Sequence, residues 1–169
     1  KKLSNDVDEM EKMLNEYLQF SKSSFTEKSE KFNLSDLIDS TIKKYENKKI
    51  LVDQENDIFF TGRKNLIQRC LNNLIDNANN FAKNITVTQQ KIKRNILIFV
   101  EDDGPSIPIS EYENVFKPFY KVDKSRNQTK SSVGLGLSIA SDIIRSHGGS
   151  IELAKSKMGG LKVKISLPV

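Results

Sequence analysis

Three asparagines, Asn73, Asn77 and Asn80, fall at positions i, i+4 and i+7 of an apolar-periodic stretch, so a helix there carries their amides along one edge. An amide oxygen can enter the octahedral shell of Mg²⁺ without adding charge, and an amide N–H can donate to phosphate or position a nucleophile. Asp102 ends an apolar run and precedes Asp103-Gly104-Pro105. A carboxylate held there, at a sheet edge, can accept a hydrogen bond from the exocyclic amine of adenine, and Gly104 lets a flat ring approach bare backbone. Gly134-Leu135-Gly136-Leu137 opens another helical pattern, and a helix N-terminus offers unpaired N–H groups and a positive dipole end to phosphate oxygens. Each element alone has an ordinary explanation: a solvated asparagine face, an Asp-Gly-Pro turn, a hinge before a helix. In order along one chain, they suggest a site for ATP.

Between the two glycine elements, Phe116-Lys117-Pro118-Phe119-Tyr120 could anchor a lid by burying its aromatics, and a plain core cluster fits those residues equally well. Lys121, Lys124, Arg126 and Lys130 follow, able to neutralise triphosphate charge. The net charge of +5 gathers around this loop, since residues 1–49 hold ten basic and ten acidic side chains. A short basic loop fits a phosphate-bearing ligand or an acidic partner, and no nucleic acid is expected, because a duplex asks for a wider basic face. His147, the one histidine, precedes Gly148-Gly149 and is placed to cap helix carbonyls rather than to catalyse. The single Cys70 excludes an internal disulfide and leaves no Cys/His cluster for zinc. The longest aliphatic and aromatic run, Ile96 to Val100, is too short to cross a bilayer, and the first residues lack the apolar core of a signal peptide, so a cytoplasmic setting is expected.

These groups need positioning elements, and the pattern supplies them. Leu3, Val7, Met10, Leu14 and Tyr17 repeat at spacings of four and three, predicting a first helix of about twenty residues with a coiled-coil seam; Met13, Leu18 and Phe20 extend the stripe and imply a partner helix. Ser21 to Lys31 reads as a linker. Ser35 is the expected cap of a second helix with Leu34, Leu37, Ile38, Ile42 and Tyr45 on one face, followed by an extended segment from Ile50 to Phe60. Gly62 breaks the chain before a helix over 63–82, with Leu66, Ile67, Cys70, Leu71, Leu74, Ile75 and Ala78 inward. Ile85–Gln90 and Asn95–Asp102 read as paired strands, the second a buried central one because of its five consecutive apolar residues. An irregular stretch over 104–133, with one helical turn, leads to a helix over 135–146, and a hairpin around Gly159-Gly160 with one wet face closes an α/β domain.

Together the elements resemble the catalytic, ATP-binding domain of bacterial sensor histidine kinases, within the GHKL ATPase superfamily. Asn73-Leu74-Ile75-Asp76-Asn77-Ala78 looks like its N box, Asp102-Asp103-Gly104-Pro105-Ser106-Ile107 its first glycine box, Phe116-Lys117-Pro118-Phe119 its F box and Val133-Gly134-Leu135-Gly136-Leu137 its second glycine box. The resemblance implies an α/β (α+β) two-layer sandwich, a mixed β-sheet with three helices on one face, over residues 32–169. By it, residues 1–22 are similar to the second helix of a dimerisation and histidine phosphotransfer domain, with 23–31 as linker. It further implies that Asn77 ligands Mg²⁺, that Asn73 helps position metal or polarise the attacking histidine, and that Asp102 selects adenine. Asn80, Gly104, Ile107, Phe119 and Lys121 then border the nucleotide, and Gly134, Leu135, Gly136 and Leu137 meet its phosphates.

The implied reaction moves the γ-phosphoryl of ATP to a histidine outside residues 1–169 and then to an aspartate of a response regulator. The implied setting is the cytoplasmic portion of an inner-membrane sensor that is a homodimer in full length. Three positions depart from the family's pattern: Ser106 and Ser132 replace glycines, and Asn80 stands where many relatives have a phosphate-reaching lysine. Two rival readings keep the fold: an ATPase that uses water, whose glutamate base is here replaced by Asn73, and a non-enzymatic adaptor that has lost the nucleotide. Neither a P-loop nor the motif set of eukaryotic-type kinases occurs.

Overall fold

A computed structural model describes residues 2–45, 49–122 and 134–169. Helix α1 spans Lys2–Thr26, longer than the sequence pattern predicts, because the hydroxyls that suggested a linker are absorbed by the helix: Ser24 donates to the Phe20 carbonyl at 2.8 Å and Thr26 to that of Lys22 at 2.9 Å. Strand β1 (Glu30–Asn33) then leads into α2 (Leu34–Ile42). The cap of α2 is Asn33, whose side chain accepts the Asp36 N–H. Ser35, expected in that role, is buried, donating to the Glu55 carbonyl at 2.8 Å and accepting the Ile58 N–H at 3.3 Å. A tertiary partner has outcompeted the local one.

The expected single extended segment is two strands in different sheets. Strand β2 (Lys49–Gln54) pairs parallel to β4 (Asn84–Ile92), while β3 (Phe59–Gly62) pairs antiparallel with β1, the chain turning at Asp57 with φ of 56°. The main sheet has the order β2-β4-β5-β7-β6, with β5 (Asn95–Asp102), β6 (Ser150–Lys155) and β7 (Leu161–Pro168) antiparallel to their neighbours. It is therefore mixed. Helices α2, α3 (Lys64–Phe81) and α4 (Gly136–Ser146) cover one face, and Ile85, Val87, Ile96, Ile98, Val100, Val163 and Ile165 pack beneath Leu66, Leu71, Leu74, Ile139 and Ile143. Each such fully buried aliphatic contributes about 1.5–3 kcal/mol relative to exposure. Strand β5 is central but not buried on both sides, as its apolar run suggested. Leu97 and Phe99 are half-buried on the outer face, where Lys162 Nζ sits 4.6 Å from the Phe99 ring and pairs with Glu101 at 3.1 Å.

Helix α1 docks by one side only. Met13 and Phe20 pack against the core, whereas Val7, Met10, Leu14, Tyr17 and Leu18 remain exposed. Arg69 donates to the Glu16 carbonyl at 2.7 Å and Arg63 to that of Ser24 at 2.9 Å. The Glu27 carboxylate accepts the N–H groups of Asn65 (2.6 Å) and Leu66 (3.2 Å), so it caps α3, whose own preceding residue Arg63 makes no side-chain cap. The expected irregular stretch holds two short 3₁₀ turns, Ile109–Glu111 and Asn114–Phe116. Lys124, Arg126, Lys130, Ser132 and Val133 lie outside the described residues.

Candidate functional site

Asn73, Asn77 and Asn80 lie half-buried along one edge of α3, beside the buried stripe of Cys70, Leu74 and Ala78. At the Asn73 end, the edge meets the start of α4. Asn73 Nδ2 donates to the Gly136 carbonyl at 3.3 Å, and a Cβ on Gly136 would stand 3.9 Å from that of Asn73. Leu135, the residue before α4, makes no side-chain cap. Leu135 is 2% exposed, and Leu137 packs against the core. Asn77 and Asn73 Oδ1 make no hydrogen bond among the described residues.

The other end of the edge is Phe81, whose carbonyl oxygen would lie 2.9 Å from a Cβ on Gly104, so this glycine is needed for close packing of the turn against α3. From Asn73 to Phe81 a helix rises about 12 Å, comparable with an extended nucleotide. Asp102, 6% exposed, ends β5 here. Its Oδ1 accepts the N–H of Gly104 at 2.8 Å and of Leu161 at 3.2 Å, while Oδ2 has no partner among the described residues. Burial pushes the Asp102 carboxyl above its ordinary range, opposed by those two N–H groups and reinforced by the charge of Asp103. Asp103 is held down at about 2 by the Asn84 N–H, the Asn84 amide and the Lys83 N–H. It ties the end of β5 to the turn that follows α3. Sequence reading placed Asp102 and Gly104 here but missed Gly160 and Leu161, seen only as a hairpin turn. The signal was the doubled glycine: only Gly159 needs left-handed backbone, with φ of 106°, so Gly160 must serve something else.

The segment between the glycine elements corrects one expectation. Phe119 does not anchor by burial: it is 58% exposed, at φ of 64°. Among the described residues of this segment, the buried side chain is Val115, with Tyr112 and Ile107 packed against the core and Tyr120 donating to the Glu111 carboxylate. Phe119 is instead held by its backbone, whose N–H donates to the Gly134 carbonyl at 3.0 Å. Gly134 has φ of 76°, and its Cβ would stand 3.0 Å from the Tyr120 carbonyl oxygen, so Phe119-Tyr120 and Gly134 meet backbone to backbone. Lys121 is half-buried beside this junction.

Among the described residues, no group of three or more His, Cys, Asp or Glu could hold a metal. The donors on the α3 edge are neutral amide oxygens, which suit a hard cation that keeps its waters and takes phosphate oxygens for the rest of its shell. His147 caps helix α4, as expected. Its Nε2 accepts the Arg63 N–H at 3.0 Å, which puts the proton on Nδ1, facing the Ile143 carbonyl at 2.7 Å. Both ring nitrogens are thus engaged, and burial lowers the imidazole's pKa, with the Arg63 charge adding to the effect.

Residues 62–169 match the family described as histidine kinase-, DNA gyrase B- and HSP90-like ATPase. The sensor histidine kinase GtrS of Pseudomonas aeruginosa is 29% identical over 174 residues, covering 99% of this chain and 35% of GtrS. The sensor histidine kinase CpxA of Escherichia coli K12 is 35% identical over 109 residues, covering 64% of this chain and 24% of CpxA. The chain thus spans about a third or less of the length of these relatives. Among solved structures, the nucleotide-free catalytic domain of histidine kinase ThkA superposes with a TM-score of 0.74 at 26% identity, covering 83% of this chain and 95% of that one. No helix among the described residues is long and apolar enough to cross a membrane.

Proposed function

The chain belongs to the histidine kinase-, DNA gyrase B- and HSP90-like ATPase family, and on that premise we propose that it is the kinase end of a two-component sensor. It binds ATP with Mg²⁺ and passes the γ-phosphoryl to a histidine outside residues 1–169, for relay to an aspartate of a response regulator. The observation that carries this reading is the edge of α3, with the start of α4 against Asn73 at one end and the buried, half-bonded Asp102 at the other.

In this reading, Asp102 accepts the exocyclic amine of adenine through Oδ2. The backbone N–H groups of Gly134 to Leu137 receive phosphate oxygens, and Gly136 keeps that approach clear of side chain. Asn77 and Asn73 hold Mg²⁺ by their amide oxygens, and Asn73 orients the attacking imidazole. The bound cation neutralises phosphate charge, while Lys121 and the basic residues after it add positive charge; phosphoryl transfer asks chiefly for such positioning and neutralisation. Asn80, Gly104, Ile107 and Phe119 border the nucleotide. The acceptor comes from elsewhere because the one histidine, His147, spends both nitrogens on Arg63 and Ile143. The exposed seam Val7, Met10, Leu14 and Tyr17 supports pairing of α1 with the acceptor-bearing helix and a second protomer, and the parent protein is read as an inner-membrane sensor with this part in the cytoplasm.

Calorimetry with ADP and Mg²⁺ tests the binding, and γ-labelled ATP tests the transfer. Saturable binding and an unlabelled chain are expected. Acid-labile phosphate on the isolated chain would overturn the external acceptor, and no ADP binding at millimolar concentration would favour an adaptor that has lost the nucleotide.

A further inference from the structure

The turn between β6 and β7 makes close contact with the adenine end of the site. Ser156, 4% exposed, organises it: its N–H donates to the Gly160 carbonyl at 2.9 Å, its carbonyl accepts the Gly159 N–H at 3.1 Å, and its hydroxyl both donates to Glu101 at 3.1 Å and accepts the Met158 N–H at 3.0 Å. So fixed, the turn presents two successive N–H groups to Asp102. Gly160 N–H donates to the Asp102 carbonyl at 3.1 Å, and Leu161 N–H to Oδ1 at 3.2 Å. The fit leaves no room for a side chain: a Cβ on Gly160 would stand 2.1 Å from Asp102 Oδ1, 2.6 Å from its carbonyl oxygen and 2.7 Å from the Gly104 nitrogen. These neighbours are two backbone atoms and a carboxylate oxygen pinned by two N–H groups, none of them the free end of a flexible chain.

The geometry points to Gly160, with the Ser156–Leu161 turn behind it, as the positioning residue that fixes the Asp102 carboxylate by one oxygen and so leaves the other to discriminate a 6-amino purine from a 6-oxo purine. This deepens the proposed function and rests on it. With Oδ1 committed to two backbone donors, the carboxylate has one rotamer, and an acceptor that cannot rotate rewards an amine and repels a carbonyl oxygen. Residues of the turn need not touch the nucleotide to set which base is accepted.

The test is the ratio of affinities for ADP and GDP, both with Mg²⁺, measured by calorimetry on the full chain. Gly160→Ala must displace the carboxylate, and it is expected to lower the ADP-to-GDP ratio about tenfold, the worth of one hydrogen bond to a charged group. A loss of fold or of active fraction would weaken both nucleotides alike and leave the ratio unmoved, so the ratio separates positioning from stability. Should Gly160→Ala fail to fold, Ser156→Ala decides: it loosens the turn without adding atoms near Asp102 and is expected to lower the same ratio about threefold. Lys157→Ala, an exposed change in the same turn, is expected to leave it unchanged. An unchanged ratio in folded Gly160→Ala, or in Ser156→Ala where the former does not fold, overturns the inference. Asp102→Asn in the same assay tells the two failures apart: if it abolishes selectivity while the turn variants do not, only the role of the turn is wrong, and if it too changes nothing, the reading of Asp102 falls with it.

Discussion

At the Phe81 end of α3 the carboxylate of Asp102 is buried and already holds two backbone N–H groups, whereas at the Asn73 end the half-buried amides of Asn73 and Asn77 hold one hydrogen bond between them, to Gly136. The first end is assembled before any ligand arrives. On the proposed reading the second is completed with it, because amides alone are weak ligands for a cation without phosphate oxygens. On the proposed reading, base recognition is thus written into the folded chain, while phosphate recognition draws on charge brought by the substrate and its metal. Such a difference would suit the proposed kinase, which must hold one base and release a changed phosphate chain.

The sharpest way to break this contrast is Asp102→Asn. The substitution keeps the shape but puts an amide N–H₂ or a weaker acceptor before the adenine amine, and ADP affinity is expected to fall about 100-fold, from about 2–3 kcal/mol lost at a buried charged hydrogen bond. Calorimetry with and without Mg²⁺ should give the same loss, since nothing at this end needs the metal. At the other end, Asn77→Ala should behave in the opposite manner. Its effect on ADP affinity is expected to be about tenfold with Mg²⁺ and negligible without it, and to be accompanied by a larger loss in phosphoryl transfer to a supplied acceptor. A metal-independent loss at Asn77 would mean that the amide binds phosphate directly.

Much of this arrangement was legible in the sequence, and what was not has a common cause. The apolar stripe from Leu66 to Ala78 fixed the face of α3 and therefore the edge that carries the asparagines, and the run from Ile96 to Val100 located the strand that ends in Asp102, because periodicity and turn residues are local signals. Gly160 and Glu27 escaped notice because their partners are distant in the chain. Leu161 meets Asp102 across 59 residues, and Glu27 caps α3 across 38. The same holds for Ser35, a good local cap taken by Glu55 and Gln89, and for Phe119, whose aromatic ring suggested burial while its backbone does the holding. Local chemistry identified which groups could act, and long-range contacts decided how each was held.

Gly136→Ala sharpens the comparison between glycines. A Cβ there meets only Asn73, at an ordinary 3.9 Å, so the variant is expected to fold with unchanged or slightly higher stability, up to about 1 kcal/mol from better helix propensity. ADP affinity should nevertheless fall about fivefold as the methyl intrudes on the phosphate approach, a fraction of the charge-assisted bonds made there. Thermal melts and titrations on one sample separate the two effects. A stability loss would show that the opening turn of α4 is as tightly packed as the Asp102 end.

The smallest expected effect concerns the joint that keeps the two ends on one frame. His147 must be neutral to accept the Arg63 N–H through Nε2, and that bond ties the end of α4 to the start of α3. Burial, with the nearby Arg63 charge, lowers its folded pKa below 6.5, so below pH 6.5 the unfolded chain binds more protons than the folded one. Its contribution is therefore complete above about pH 6.5 and is lost as pH falls toward the lowered folded value. Because the ring is only half-buried and screened, the loss should be about 0.5 kcal/mol or less. Asp102 acts with the opposite sign, its raised carboxyl pKa making the folded state the better proton acceptor as pH falls from that raised value, while Asp103, at about 2, does not titrate in the interval near 6. The shallow decline in denaturation midpoint between pH 7 and pH 5.5 should therefore vanish in His147→Gln and persist in Asp102→Asn. A decline that persists in His147→Gln would place the titrating group elsewhere, and the α3–α4 joint would then hold without its imidazole.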